Sequence, residues 1–148
     1  MTYATVVHEL FLRFPELRER TDDCMYVDDN NQEPMAYVIF GDVLKPFLET
    51  SLAEGDLRSI LKMCAYLEDA AVSSRQDPAL GNLLAVEIGE WLEYTPYESK
   101  IGPWLGAETK RICRYVPGLA MQRNEIRVEK RRSVLGRIRA RLRKAVEP

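Results

Sequence analysis

DLRSILKMCAYLEDAAVSSRQDPALGNLLAVEIGEWL, residues 56–92, holds two helical stripes and two helix starts. Leu57, Ile60, Leu61, Cys64, Leu67 and Ala71 keep the spacing of one helix face, with Asp56 placed to cap the start and an end near Ser73. Asp77-Pro78 then sets a capping side chain ahead of a proline that has no N–H to lose, and Leu80, Leu84, Ile88, Trp91 and Leu92 mark a second face. The connection between them is short, so the two helices are expected to pack antiparallel.

The same grammar extends in both directions. Tyr3, Val7, Leu10, Phe11 and Phe14 form an amphipathic face that Pro15 interrupts, so Pro15 to Arg20 reads as a separate turn. Residues 21–39 lack a helical period and read as a polar loop. Met35 to Phe40 reads as extended, buried coil, because one isolated strand would leave its ladder groups unpaired. Gly41-Asp42 reads as the next helix start, with Pro46 in its first turn; Val43, Leu44, Phe47, Leu48 and Leu52 form its stripe, and Gly55 ends it. A connection at Tyr94 to Gly102 precedes a helix predicted from about Pro103 to Tyr115 and stopped by Pro117-Gly118. From Leu119 no proline appears before Pro148, and Val128, Leu135, Ile138, Leu142 and Val146 lie on a narrow seam of a long final helix. No strand pair emerges. The expected fold is all-α: antiparallel helical hairpins stacked as a HEAT-like array or an irregular bundle, with a long basic C-terminal helix.

Composition agrees with a single compact unit. The 148 residues are 46% hydrophobic and 30% charged, which places the chain among ordinary globular domains and outside the disordered and disulfide-framework classes. No apolar run exceeds the six residues from Met35 to Phe40, against the roughly 20 that a membrane span needs, so no membrane association and a cytoplasmic location are expected. Three cysteines without Cys-x-x-Cys spacing and one histidine, His8, suggest neither a disulfide framework nor zinc, and no cofactor is expected.

Charge divides the chain in two. Residues 1–117 carry 11 Lys+Arg against 20 Asp+Glu, a charge of −9, and residues 118–148 carry 10 against 3, a charge of +7. The expected organisation is an acidic helical domain over 1–117 and a basic helical extension over 118–148, a division that marks a partner surface or an internal contact of opposite charges. The basic segment holds Arg123, Arg127, Lys130, Arg131, Arg132, Arg137, Arg139, Arg141, Arg143 and Lys144, but no aromatic residues for stacking on single strands. It suits a nucleic-acid-associated regulator or adaptor, or docking on the acidic body or on a second copy as a homodimer.

Two acids, Glu68 and Glu87, fall on the apolar faces of their helices. Facing each other they would form an acid/base pair; the plainer reading is two semi-buried structural carboxylates, each held by a hydrogen-bonding partner. The acidic loop from Asp22 to Glu33 invites a calcium reading, but Glu33 stands where the EF-hand turn needs glycine, so no metal site is assigned. The loop acids, Asp28 and Asp29 among them, instead suit, with Glu49, Glu54, Glu90, Glu93 and Glu98, a negative surface for a basic partner, and Tyr94, Tyr97 and Trp104, clustered after the fourth helix, supply aromatic contact residues.

FGDVLKPFLETSL at 40–52, LKMCAYLEDAA at 61–71, LGNLLAVEIGEWL at 80–92 and WLGAETKRICRY at 104–115 together resemble a family of small bacterial helical proteins of unknown function. Some members are found beside polymorphic or contact-dependent toxins, where immunity proteins are expected. The resemblance spans roughly residues 5–116 and implies a cytoplasmic binder that neutralises a toxin by covering its active site. It offers no catalytic residues. Residues and resemblance together lead to the expectation of a non-enzymatic protein-binding module with a basic toxin domain as partner.

Overall fold

The computed structural model describes residues 1–19, 21, 35–123 and 125, and these are all-helical, with no strand among them. The elements are α1 (Val6–Arg13), α2 (Pro15–Arg18), α3 (Ala36–Ile39), α4 (Lys45–Glu54), α5 (Leu57–Ser73), α6 (Pro78–Leu83), α7 (Glu90–Leu92), α8 (Glu98–Ile101) and α9 (Ala107–Ile112). One turn of π-helix, Phe40–Leu44, joins α3 to α4, and another, Leu84–Gly89, joins α6 to α7, so two continuous helices span 36–54 and 78–92. Among the described residues no helix is long and apolar enough to cross a membrane.

The start signals act as their chemistry dictates. Asp56 accepts from the Ser59 N–H at 3.2 Å, and Asp77 accepts from the N–H groups of Ala79 and Leu80 at 3.1 and 3.2 Å ahead of Pro78. The second Asp77 oxygen accepts from the Tyr3 N–H at 2.7 Å and ties the N-terminal segment to α6. Gly55 ends α4 in the left-handed conformation at φ 74°, which a side chain would strain, and α5 ends at Ser73.

The segment ahead of α4 corrects the sequence reading. Met35 alone is extended; Ala36 to Ile39 are helical, and no side chain, Asp42 included, caps the start of α4. Buried Ala36, Ile39, Phe40, Val43, Leu44, Phe47 and Leu48 follow one helical period straight through Gly41. Pro46 therefore sits inside a long helix. The π turn just ahead of it shifts the Lys45 N–H onto the Phe40 carbonyl, and this local rewinding accommodates a residue that has no N–H of its own.

Helix α5 is central: it packs on α4, α6 and α9. Its buried face is Ile60, Met63, Cys64, Tyr66, Leu67, Ala70 and Ala71, rotated from the expected stripe so that Leu57 and Leu61 are 47% and 41% exposed. Tyr66 gathers the aromatic core, with its ring 6.5 Å from Phe14 and 6.4 Å from Phe40, and Phe14 meets Phe47 edge-on at 5.7 Å. Its hydroxyl donates to the Val6 carbonyl at 2.9 Å, so the one polar atom of this buried ring is satisfied by α1.

A polar ladder links the two long helices. The Asn82 amide donates to Tyr37 Oη, Lys45 Nζ to Glu87, and Trp91 Nε1 to Glu49, each at 2.7 Å. Partner numbers rise together along both helices, so 36–54 and 78–92 run in the same direction. Trp91, expected within the core, is half-buried at the edge of this ladder.

The predicted helix at 103–115 is also corrected. Gly102–Trp104 form a 3-10 turn, Leu105 is extended, and α9 is confined to Ala107–Ile112. Beyond it the backbone is helical again at 119–123; the remainder of the expected basic helix lies outside the described residues. Replacing Tyr66 by Phe removes the bond to α1 while keeping the ring, and is expected to cost about 1 kcal/mol, read as a lowered urea midpoint with an unchanged slope.

Candidate functional site

Glu68 and Glu87 do not form a facing pair; each is engaged by a different element. Glu87 accepts from Lys45 across the polar ladder. Glu68 projects from α5 onto the first turn of α9, where its carboxylate accepts from the N–H groups of Glu108 and Thr109 at 3.0 and 2.9 Å and from the Thr109 hydroxyl at 2.8 Å. The first N–H groups of a helix have no partner within it, and Gly106, at the capping position of α9, has no side chain to offer. Glu68 occupies the space of that missing side chain: a Cβ on Gly106 would lie 2.1 Å from Glu68 Cδ. Partial burial pushes the Glu68 carboxyl upward, but the Thr109 and Glu108 N–H groups and the Thr109 hydroxyl outweigh it and hold the group below the usual glutamate range.

The next residue extends this junction to the surface. Glu108 bonds Arg75 and Arg111, whose guanidinium groups pull its carboxyl down to about 2. Helix α9 then closes through a Schellman turn, in which the Tyr115 N–H bonds the Lys110 carbonyl at 2.9 Å and Arg114 takes the left-handed position at φ 48° that glycine usually fills. Buried Glu98 anchors the far side, accepting from Tyr115 Oη and from the Gly118 N–H. Burial first, then the bond to Glu98 and its charge, push the Tyr115 phenol up to about 12. A Cβ on Gly102 would lie 2.0 Å from that hydroxyl, so a glycine is needed here as well.

Between the helix 78–92 and residues 111–114 lies an open groove of about 660 Å³. Its floor includes Ala85, Val86 and Ile112. Glu90 and Glu93 stand on one side, Arg111 and Arg114 on the other. Gly89 lets the two sides meet, since its Cβ would lie 3.2 Å from the Cys113 carbonyl oxygen. Burial raises the Cys113 thiol to about 12 and the Cys64 thiol to about 11, so both stay protonated at neutral pH.

The expected contact residues divide into groups. Glu90 is exposed on the groove. Glu93 accepts from Arg123, whose guanidinium also bonds Tyr94 Oη at 3.0 Å and lies 5.2 Å from the Tyr94 ring centre. Tyr97 is half-buried with Lys100 Nζ 5.5 Å from its ring centre, while Trp104 projects 45% exposed from the 3-10 turn. Asp28 and Asp29, and with them the acidic loop weighed for calcium, lie outside the described residues. Glu98, expected among the surface acids, is instead buried, and sequence reasoning missed the groove and left-handed Arg114. Glu98 lies in a segment without helical period, although Gly102 four places on signals a close approach.

Removing the carboxylate by Glu68→Ala is expected to cost about 2 kcal/mol, because a charged acceptor serves three donors. Gly106→Ala is expected to be destabilising alone and close to neutral in the Glu68→Ala background, which a double-mutant cycle in urea reads directly. The sign with pH follows from the lowered value. The Glu68 contribution is complete above the ordinary glutamate value of 4.5 and is lost as pH falls through its lower folded-state value, so Glu68→Gln flattens the acid side of the stability curve.

No curated protein sequence and no solved structure matches the chain. Residues 7–117, which contain the Glu68 junction, the groove and the whole polar ladder, match a family described as a domain of unknown function. On that match the chain belongs to the DUF7674 family.

Proposed function

We propose that this domain is a non-catalytic protein-binding module of the immunity-protein kind, which neutralises a basic bacterial toxin domain by direct contact. The observation that carries the reading is the exposure of large aromatic side chains on a braced scaffold: Tyr94 is 54% and Trp104 45% exposed. Each follows a short helical turn, Tyr94 after α7 and Trp104 at the end of the 3-10 turn, and aromatic residues held in this way bury much area at small entropic cost. Glu90 adds a negative charge that favours a basic partner and speeds its approach. Glu68 and Glu87, the acids most suited to acid/base work, are committed to α9 and Lys45.

Co-expression with the product of the adjacent gene, followed by calorimetry on the purified pair, tests the proposal. A one-to-one complex is expected, with Trp104→Ala and Tyr94→Ala each weakening binding about tenfold or more, as truncation of an interface anchor does. Absence of a complex, or retention of the chain on nucleic acid at low salt with loss at high salt, overturns it in favour of the nucleic-acid reading.

A further inference from the structure

The helix 78–92 carries two registers in one sequence. In an unbroken α-helix, at 3.6 residues per turn, Glu87 and Trp91 lie within about 20° of Leu80, while Ile88 and Leu92 lie about 80° and 120° away. The observed burial is the reverse. Leu80, Leu84, Ile88 and Leu92 are buried, Trp91 is half-buried on Glu49, and Glu87 is turned out to Lys45. One surplus residue in the π turn Leu84–Gly89 produces this shift: it sets every later side chain back by about 100° and brings Leu92 to within about 20° of Leu80. Trp91 thereby leaves the core line for the ladder, and Glu90, Glu93 and Tyr94 are turned with it.

Apolar burial alone does not choose between the registers. Leu80 and Leu84 belong to both lines, and Trp91 in the one answers Leu92 in the other. Position 87 decides. The α register carries the Glu87 carboxylate into the line of fully buried Leu80 and Leu84, away from water and from Lys45, which is costly for a charged group. The π register places Ile88 in that line and gives Glu87 the Lys45 ammonium at 2.7 Å; Lys45 is itself the first residue past the π turn of the helix 36–54. The Leu84 carbonyl, at the head of the widened turn, accepts weakly from the Cys113 thiol at 3.6 Å, a second hold on the same turn.

We propose that Glu87 is the register determinant of this helix. Its pairing with Lys45 keeps the surplus residue in the turn 84–89, and an apolar side chain in its place releases the latent α register, turning residues 90–94 by about 100° and carrying Trp91 into the line of Leu80. Glu87 thus sets the direction in which Glu90 and Tyr94 face without touching either line of contact itself. The inference concerns the shape of the scaffold and does not depend on the toxin-binding proposal.

Tryptophan fluorescence of the full chain tests it, with Trp104→Phe leaving Trp91 as the single indole. Glu87→Leu is expected to shift the Trp91 emission to the blue and to remove most of its quenching by acrylamide. Glu87→Gln, which keeps a hydrogen-bond acceptor for Lys45, is expected to leave both as in the parent. Deletion supplies a second arm. Without Val86 the helix loses its surplus residue, and Leu80, Ile88 and Leu92 fall on one line of a plain α-helix; this chain is expected to unfold cooperatively in urea with Trp91 quenched as in the parent. Deletion of Ala65, exposed in the uninterrupted helix α5, is expected to abolish the fold, because nothing there absorbs the change of phase. Equal Trp91 quenching in folded Glu87→Leu and the parent, a Glu87→Gln chain that behaves as Glu87→Leu, or equal tolerance of the two deletions each overturns the inference. Should Glu87→Leu fail to fold, the comparison of the two deletions decides.

Discussion

A charged carboxylate on α5 closes the first turn of α9, and the C-terminal third of the described fold depends on that contact. Six residues do not make a stable helix in water, where isolated helices shorter than about 12–15 residues are marginal. Glu68 supplies what α9 lacks, an acceptor for its leading N–H groups and a negative charge at the positive end of its dipole. In return α9 supplies what a half-buried carboxylate lacks, which is donors. With α9 fixed, Glu108 can hold Arg75 and Arg111, Cys113 can press on Gly89, and Tyr115 can reach Glu98. The groove wall at 111–114 is built on this chain of contacts.

A similar economy governs the other acids. Glu49 and Glu87 join two helices that run in the same direction, Glu98 binds the turn after α9, and Asp77 both starts α6 and holds the N-terminal segment. Among the described residues, much of the acidic composition is therefore structural. Glu16, Glu19, Asp42, Glu54 and Glu90 remain outward among the described acids, with Tyr94 and Trp104 as the exposed aromatic groups.

The sequence shows the helical class because Asp56, Asp77, Pro15 and Gly55 act through local geometry that any tertiary context preserves. The start at 36 is hidden because Gly41 and Pro46 resemble breakers, and only a π turn, which leaves no compositional mark, reconciles them with one helix. Leu57 and Leu61 share the α5 stripe in sequence, but the fold prefers the side that carries Tyr66 and Met63, and a periodic pattern does not choose between overlapping faces. In sequence, Glu68 and Glu87 read only as carboxylates on apolar faces that need partners. Their partners lie 41 and 42 positions away, as Thr109 and Lys45, and nothing local announces them. The separation of Glu90 and Glu93 into an exposed and a bridged acid likewise depends on Arg123, thirty residues on.

The direction of the Glu68 contact also matters to how the chain is made. A ribosome releases α5 some forty residues before Glu108 and Thr109 emerge, so the acceptor is already in place when the donors arrive. Had the cap been carried by a later residue, a short helix with open N–H groups would wait in the nascent chain for its mate. As built, synthesis from N to C terminus delivers each half of the junction in the order that lets the second settle on the first.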